Sequence, residues 1–365
     1  EMIDTAFPFF SEGNWEASSS RKGGTPGNVN SASRNNPDKV FYGVQNLFLT
    51  DSITITIVFN EPVFNLSGSI PVITPGDNRI IAVSPCDPLS RRFNLTLEKA
   101  MVRREVYTLH LPESTADFAG NQASGADLHF GITEPAEKGD VVFNELLFNP
   151  LPDDPDYIEL YNLSEKVIDA SELFLAEVDD ETGESSASKQ ISGEQSCFLP
   201  GSFYAITTDR EKVTARYPVS VSENILNSAS LPSMPDDKGH LLLLNRQIDR
   251  IDEVMYNEKM HYPLLDENEG ISLEKVRPDL PSDESLNWHS ASESVGWGTP
   301  GAENSVFSVE LSRTDEVIFS SAKISPDNDG FEDVLVIDIN GEGPWNTVTV
   351  TVFDEPGNLI RKLAE

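Results

Sequence analysis

Ser52-Ile53-Thr54-Ile55-Thr56-Ile57-Val58-Phe59 decides the fold class. Ile53, Ile55, Ile57 and Phe59 alternate with Thr54, Thr56 and Val58, a period of two that turns one apolar face to a core and the other face outward. The period recurs where Phe93, Leu95 and Leu97 alternate with Asn94, Thr96 and Glu98, and where Tyr107, Leu109 and Leu111 alternate with Thr108 and His110. Turns such as Thr74-Pro75-Gly76-Asp77-Asn78 and Ser84-Pro85-Cys86-Asp87-Pro88 separate these runs at the spacing of a sandwich. The best helix candidate is Arg210 to Tyr217, stopped by Pro218. The expectation is an all-β chain of tandem sandwiches.

A chain of 365 residues exceeds one ordinary core, and composition marks the joints. Asn35-Asn36-Pro37-Asp38 opens a first strand-rich block, and Thr133 to Asp140, polar with Pro135 and Gly139, closes it as a short acidic linker. A second block runs from Val141 to about Ser305, with strands expected at Val141 to Phe148, Tyr157 to Asn162, Phe203 to Thr208 and His240 to Asn245. Ser321 to Pro326 leads into a third group, at Val334 to Ile339 and Thr347 to Phe353, too short for a whole sandwich of ~100 residues. The opening segment repeats the end of the second block. Asn14-Trp15 followed by Gly24-Thr25-Pro26-Gly27-Asn28-Val29-Asn30-Ser31 matches Asn287-Trp288 followed by Gly298-Thr299-Pro300-Gly301-Ala302-Glu303-Asn304-Ser305. Four units are therefore expected: 1–34, the closing remnant of a copy of the second block; 38–133; 141–305; and 306–365, the first half of a truncated domain. Trp15, without its parent core, should find another apolar surface, such as the third group's strands, or stay mobile.

The second block resembles the lamin-tail domains of bacterial secreted and surface proteins. The likeness rests on Val142-Phe143-Asn144-Glu145-Leu146-Leu147-Phe148-Asn149-Pro150, Asp156-Tyr157-Ile158-Glu159-Leu160-Tyr161-Asn162 and Leu199-Pro200-Gly201. It continues through Gly270-Ile271-Ser272-Leu273-Glu274-Lys275, Asn287-Trp288 and Thr299 to Ser305, with Lys275 where an Arg is usual. The resemblance implies an immunoglobulin-like sandwich with no catalytic constellation. Residues 38–133 look like bacterial immunoglobulin-like domains, on Thr54 to Val63 and Asp117-Phe118-Ala119-Gly120-Asn121. Ile324 to Asp333, Thr349 to Asp354 and Gly357 to Arg361 resemble the opening half of an immunoglobulin-like domain of flagellar-hook-capping type, which serves sorting or attachment.

The charge narrows the partners. Against 26 Lys and Arg stand 61 Asp and Glu, a formal net charge of −35 spread along the chain, which repels phosphate backbones and anionic lipid. Nucleic acid is excluded as a partner; divalent cations and basic surfaces are not. No apolar run approaches the ~18 residues of a membrane span. Glu1 begins within a pattern and no leader precedes it, so the sequence reads as an excised piece of a longer exported precursor: secreted, periplasmic or on the cell surface.

Asp327-Asn328-Asp329-Gly330-Phe331-Glu332-Asp333 is the strongest site candidate. Alternating oxygen-bearing residues before a glycine can converge as in the first half of a calcium loop, with Asp327, Asp329 and Asp333 as ligands and Ca²⁺ as the cofactor. The alternative is an ordinary turn whose side chains bond their own backbone. Asp153, Asp154, Asp156 and Glu159 form a second acidic group, readable as a cation site, as paired carboxylates or as an acidic loop. Glu145 and Glu159 are expected to accept from backbone or turn donors. Trp15, Trp288, Trp297, Tyr256 and Tyr262 could make a sugar platform or serve as core. His110, His129, His240, His261 and His289 show no ligand spacing, and Cys86 and Cys197 are too isolated for zinc or a disulfide and read as buried or inert thiols. Asn65, Asn94 and Asn162 head glycosylation sequons. The reading is a non-catalytic scaffold or binding segment with a protein or glycan surface as partner. The alternatives are the accessory part of a larger secreted hydrolase and a carbohydrate-binding surface protein.

Overall fold

A computed structural model describes residues 1–6, 14–35, 38–64, 66, 72–75, 78–123, 125–179, 182–262, 265, 267–307, 317–321, 323–339, 350–353 and 359–364. The expected turn residues Gly76 and Asp77, the sequon at Asn65 and the stretches 347–349 and 354–358 lie outside them. The chain is all-β, of sandwich type.

The first block contains β1 (Val44–Asp51), β2 (Thr54–Phe59), β3 (Val63–Phe64), β4 (Val72–Thr74), β5 (Ile80–Pro85), β6 (Arg92–Leu97), β7 (Tyr107–Leu111), β8 (Ala116–Asp117) and β9 (Ala126–Phe130). They form an antiparallel sheet β1-β2-β6-β5, a second sheet β4-β7-β9 and the pair β3-β8. Ile55, Ile57, Phe59, Leu95, Leu109 and Phe130 make the core between the sheets. The alternation on β6 and β7 holds residue by residue. On β2 it does not: Thr56 and Val58 are buried as well. That strand is central, and the Thr56 hydroxyl is satisfied by Thr50 and Asn94. Ile53, read as core-facing, is exposed because it sits in the turn between β1 and β2.

The second block contains β10 (Val141–Leu147), β11 (Tyr157–Asn162), β12 (Ile168–Asp169), β13 (Leu173–Glu177), β14 (Lys189–Gln190), β15 (Cys197–Phe198), β16 (Phe203–Thr207), α1 (Arg210–Arg216), β17 (Ile225–Asn227), β18 (Lys238–Asn245), β19 (Arg250–Asn257), β20 (Leu273–Lys275) and β21 (Trp288–Ser290). A six-stranded sheet β17-β16-β11-β10-β20-β21 faces a four-stranded sheet β14-β13-β18-β19, with β12-β15 alongside. Only the β16–β17 pairing among these is parallel. Every residue of β10 is buried, because the sheet is covered on both faces. One face packs on Leu175, Leu241, Leu243 and Val254; on the other, Leu147 and Tyr157 pack with Val213 and Tyr217 of the α1 region. Asp209 caps α1 by accepting from the Lys212 amide, and the chain turns extended at Tyr217 before Pro218.

The stretch 133–140 is no free linker. The Glu134 amide bonds the Val167 carbonyl, Ala136 enters the second core, and Lys166 Nζ reaches Glu137 and Asp140, each at 2.7 Å. Across the same seam Asn46 Nδ2 donates to the Gln195 carbonyl at 2.6 Å, and Val167 and Cys197 of the second block pack into the first block's cluster. Both cysteines are free; Cys197 is buried, whereas Cys86, read as buried or inert, is exposed at the end of an edge strand, with burial of its sulfur still raising its pKa. Beyond the second block, β22 (Val317–Phe319) pairs with β23 (Ile337–Ile339), and β24 (Val350–Phe353) with β25 (Leu359–Ala364). The described residues of 1–34 bond to one another: Met2 bridges Trp15, and the Glu1 carboxylate accepts from Ser18, Thr25, Ser31 and Ala32. Trp15 is 50% exposed.

Candidate functional site

The densest polar chemistry lies inside the second block. Register places Glu145 opposite Glu159 on one side and opposite Glu274 on the other, so three carboxylates run side by side across β11, β10 and β20. All three are fully buried. The segment from Trp297 to Val306 lies over them and donates into them. Thr299 gives its amide to Glu145 at 2.9 Å, and its hydroxyl lies 3.1 Å from Glu145 and 2.9 Å from Glu274. Gly301 gives its amide to Glu159 at 2.5 Å. The Ser305 hydroxyl and Val306 amide donate to Glu274 at 2.7 and 3.1 Å. Tyr157 and Ser272 donate their hydroxyls to Glu145 at 2.6 and 2.5 Å, and Asn144 Nδ2 donates to Glu159 at 2.8 Å and to Asn304 Oδ1 at 2.7 Å.

Like charges opposite one another in a dry sheet cannot all ionise. Burial raises the pKa of each, that of Glu274 to about 8, and the neighbouring carboxylates push Glu159 and Glu274 the same way. Lys275, one residue on and therefore on the opposite face, donates to Ser282 at 2.8 Å; burial lowers its pKa to about 8. The arrangement is a clasp. It has the acceptors to hold the closing segment, and none of the three carboxylates is exposed to solvent.

Glu145 and Glu159 thus accept from the closing turn, as their place in the strands suggests. Glu274 is the member that sequence reasoning missed. Glu159 does not join the loop acids: Asp154 lies 3.8 Å from Arg216, and Asp156 is half-buried, its pKa raised to about 7 by burial and by Asp236. The aromatic platform does not assemble either. Tyr256 and Trp288 are in the core, Tyr256 stacked on Phe148 at 4.4 Å, while Trp15 belongs to a separate segment. His261 is buried against Phe148, which lowers its pKa to about 4. Asn162, one of the sequon residues, is fully buried and bonded to Lys166 and Phe198 carbonyls.

On the surface, Asp327, Asp329 and Asp333 do converge, each offering an oxygen within 4.8 Å of the others. The same carboxylates also serve the turn: Asp333 accepts from the Asn328 and Gly330 amides at 2.5 and 2.7 Å, and Asp329 from Phe331 at 2.8 Å. Asn328, at φ 62°, is driven into the second block, where Nδ2 donates to the Ala291 carbonyl at 3.0 Å and Oδ1 is buried with no partner among the described residues. A second convergence went unread in the sequence: Asp38, Glu61 and Asp117, also within 4.8 Å, where β3 pairs with β8. Burial, helped by Asp117 and Asp38, raises the Glu61 pKa to about 7. Asn121 ties Asp117 to Asp38 with bonds of 2.8 and 3.1 Å. Both short signatures of this block, around Glu61 and around Asp117, meet here.

No family model matches the chain, and no curated protein does. Among solved structures, the N-terminal part of the bacterial S-layer protein SbsC aligns at 19% identity and TM-score 0.23, over 45% of this chain and 40% of that one. The Bacteroides ovatus protein SGBP-B, in complex with a mixed-linkage heptasaccharide, aligns at 15% identity and TM-score 0.21, over 60% of this chain and 41% of that one. The chain thus spans well under half the length of these proteins. Likenesses at such TM-scores carry neither fold nor function across. No helix among the described residues is long and apolar enough to cross a membrane.

Proposed function

We propose that this chain is a non-catalytic structural and binding segment of a secreted, exported or cell-surface bacterial protein, with 141–305 as a lamin-tail-type sandwich. One observation carries the reading: the paired carboxylates that could have done acid–base work are sealed and consumed as acceptors for the closing segment. Asn144-Glu145, Glu159, Ser272 to Lys275 and Thr299 to Ser305, stretches that carry the resemblance, meet in that one clasp, which supports treating them as one architectural unit. Residues 38–133 and 306–365 stand in this reading as flanking immunoglobulin-like units. The test is Glu145→Gln assayed against panels of glycoside, ester and peptide substrates. The expected result is no turnover by either protein and a less stable sandwich; turnover by the native chain, lost in a variant that still folds, would overturn the reading.

A second reading, Ca²⁺ binding by Asp327, Asp329 and Asp333, is favoured by the convergence of their oxygens. Ca²⁺ bound only to the folded state raises the melting temperature. Millimolar CaCl₂ should therefore exceed NaCl of equal ionic strength in its effect, and Asp329→Ala should erase the difference. Equal effects of the two salts would leave the loop a turn.

A further inference from the structure

The opening segment reproduces the Glu274 side of the clasp. Ile3 donates its amide to the Asn14 carbonyl as Val276 does to Asn287, and the Asn14 side chain brackets Asp4 as the Asn287 side chain brackets Arg277. Asn30 Nδ2 donates to the Met2 carbonyl as Asn304 does to Lys275. Thr25, Ser31 and Ala32 donate to Glu1 as Thr299, Ser305 and Val306 do to Glu274. Ser19 donates its amide to the Ser31 hydroxyl as Ser292 does to Ser305. What differs is the cover. In the second block Glu145 takes the Thr299 amide, Glu159 takes the Gly301 amide, and Asn144 bonds Asn304. The equivalent Thr25 amide, Gly27 amide and Asn30 Oδ1 have no such partner among the described residues.

A glycine identifies what is missing. A Cβ on Gly298 would lie 2.6 Å from the Tyr157 hydroxyl oxygen and 2.7 Å from the Tyr217 ring, so the closing turn needs glycine there to admit the tyrosine of β11. At the equivalent Gly24 the nearest atom among the described residues would be in Pro26, 3.9 Å away, and φ is not positive. Nothing among the described residues of the segment requires Gly24. From the preformed donors and this reserved space we infer that residues 1–6 and 14–34 form a docking face for a β-hairpin of the β10–β11 type: Asn-Glu on one strand, and Tyr and Glu two residues apart on the other. The hairpin Val141–Asn162 of this chain is already seated on its own closing segment, so the occupant is a second hairpin of that chemistry.

The probe is a peptide of the Val141–Asn162 sequence closed head to tail, since those two residues pair in the sheet, added to the full chain. Hydrogen exchange is read over residues 14–32. The amides of Thr25 and Gly27 should slow about tenfold or more, and Gly24→Ala, which leaves the Glu1 network untouched, should bring them back to the rate without peptide. No slowing, the same slowing in Gly24→Ala, or protection confined to 271–306 would each overturn the inference. The result is independent of the calcium reading.

Discussion

Trp15 and Trp288 occupy the same place in two copies of one motif, 50% exposed in the first and 4% in the second. Pro26 and Gly27 lie in the open, Pro300 and Gly301 are buried, and yet the three bonds that Glu274 accepts from the closing turn all recur at Glu1. The bond pattern is therefore local, dictated by Asn-Trp and Gly-Thr-Pro-Gly-x-x-Asn-Ser whatever lies above it. The electrostatics are not. Donation from Ser31 and Thr25 in open solvent pulls the Glu1 pKa down to about 2, whereas burial, with Glu145 beside it, pushes that of Glu274 up to about 8. A carboxylate with similar donors stabilises its turn as an anion at the surface and as an acid in the interior.

Truncating the tryptophan should break the comparison most widely. Trp288→Ala removes a side chain packed in the second core and should cost the sandwich ~3–5 kcal/mol, seen as a lower urea midpoint by circular dichroism. Trp15→Ala should stay within about 0.5 kcal/mol, as for an exposed residue. Equal losses would mean that Trp15 packs against a surface it does not touch here.

The pH dependences should run in opposite directions. For Glu274 the folded pKa exceeds the ordinary carboxyl value, so the native state holds a proton that the unfolded chain releases. Its contribution is present below pH ~4.5 and is lost as pH rises through about 8. His261, depressed to about 4, acts oppositely between about 4 and 6.5, so above pH 6.5 the raised carboxyls act in one direction: Glu274 with Glu145 and Glu159, and Asp156 up to about 7. The sandwich's melting temperature should fall between pH 6.5 and about 8, and Glu274→Gln should make the fall less steep; a rise would mean that the clasp holds its acids ionised. For Glu1 the contribution is present above ~4.5 and lost towards about 2, so the Ala32 amide shift should titrate in that range.

Much of this was legible in the sequence, and the rest was not for identifiable reasons. The period-two runs gave β2, β6 and β7, and Pro218 gave the end of α1, because strand faces and helix stops are local. Glu274 escaped because its role depends on β20 lying beside β10, a pairing between residues more than a hundred positions apart. A signal did exist: counted back from Asn-Trp, the repeat sets Glu1 under Glu274. The seam holding Cys197 in the first block's core, and the meeting of Asp38, Glu61 and Asp117, likewise follow from non-local packing that periodicity does not encode.

The smallest difference should appear at the threonine of the closing turn. The Thr299 hydroxyl lies within hydrogen-bond reach of Glu145 and Glu274 in the buried interior, so Thr299→Ala leaves a buried acceptor short and should cost ~1–3 kcal/mol. Thr25 makes the corresponding bond to Glu1 at 2.5 Å, but water can replace it there, and Thr25→Ala should change stability by no more than about 0.5 kcal/mol. Thr299→Ser, which keeps the hydroxyl and loses only a methyl, should recover most of the loss. If it recovers none, the methyl group's packing and not the bond holds the turn, and the clasp acts by shape more than by its carboxylates. If the cyclised hairpin peptide covers residues 1–34, the Thr25→Ala penalty measured in its presence should grow towards that of Thr299→Ala, because the same bond then lies in the same dry setting.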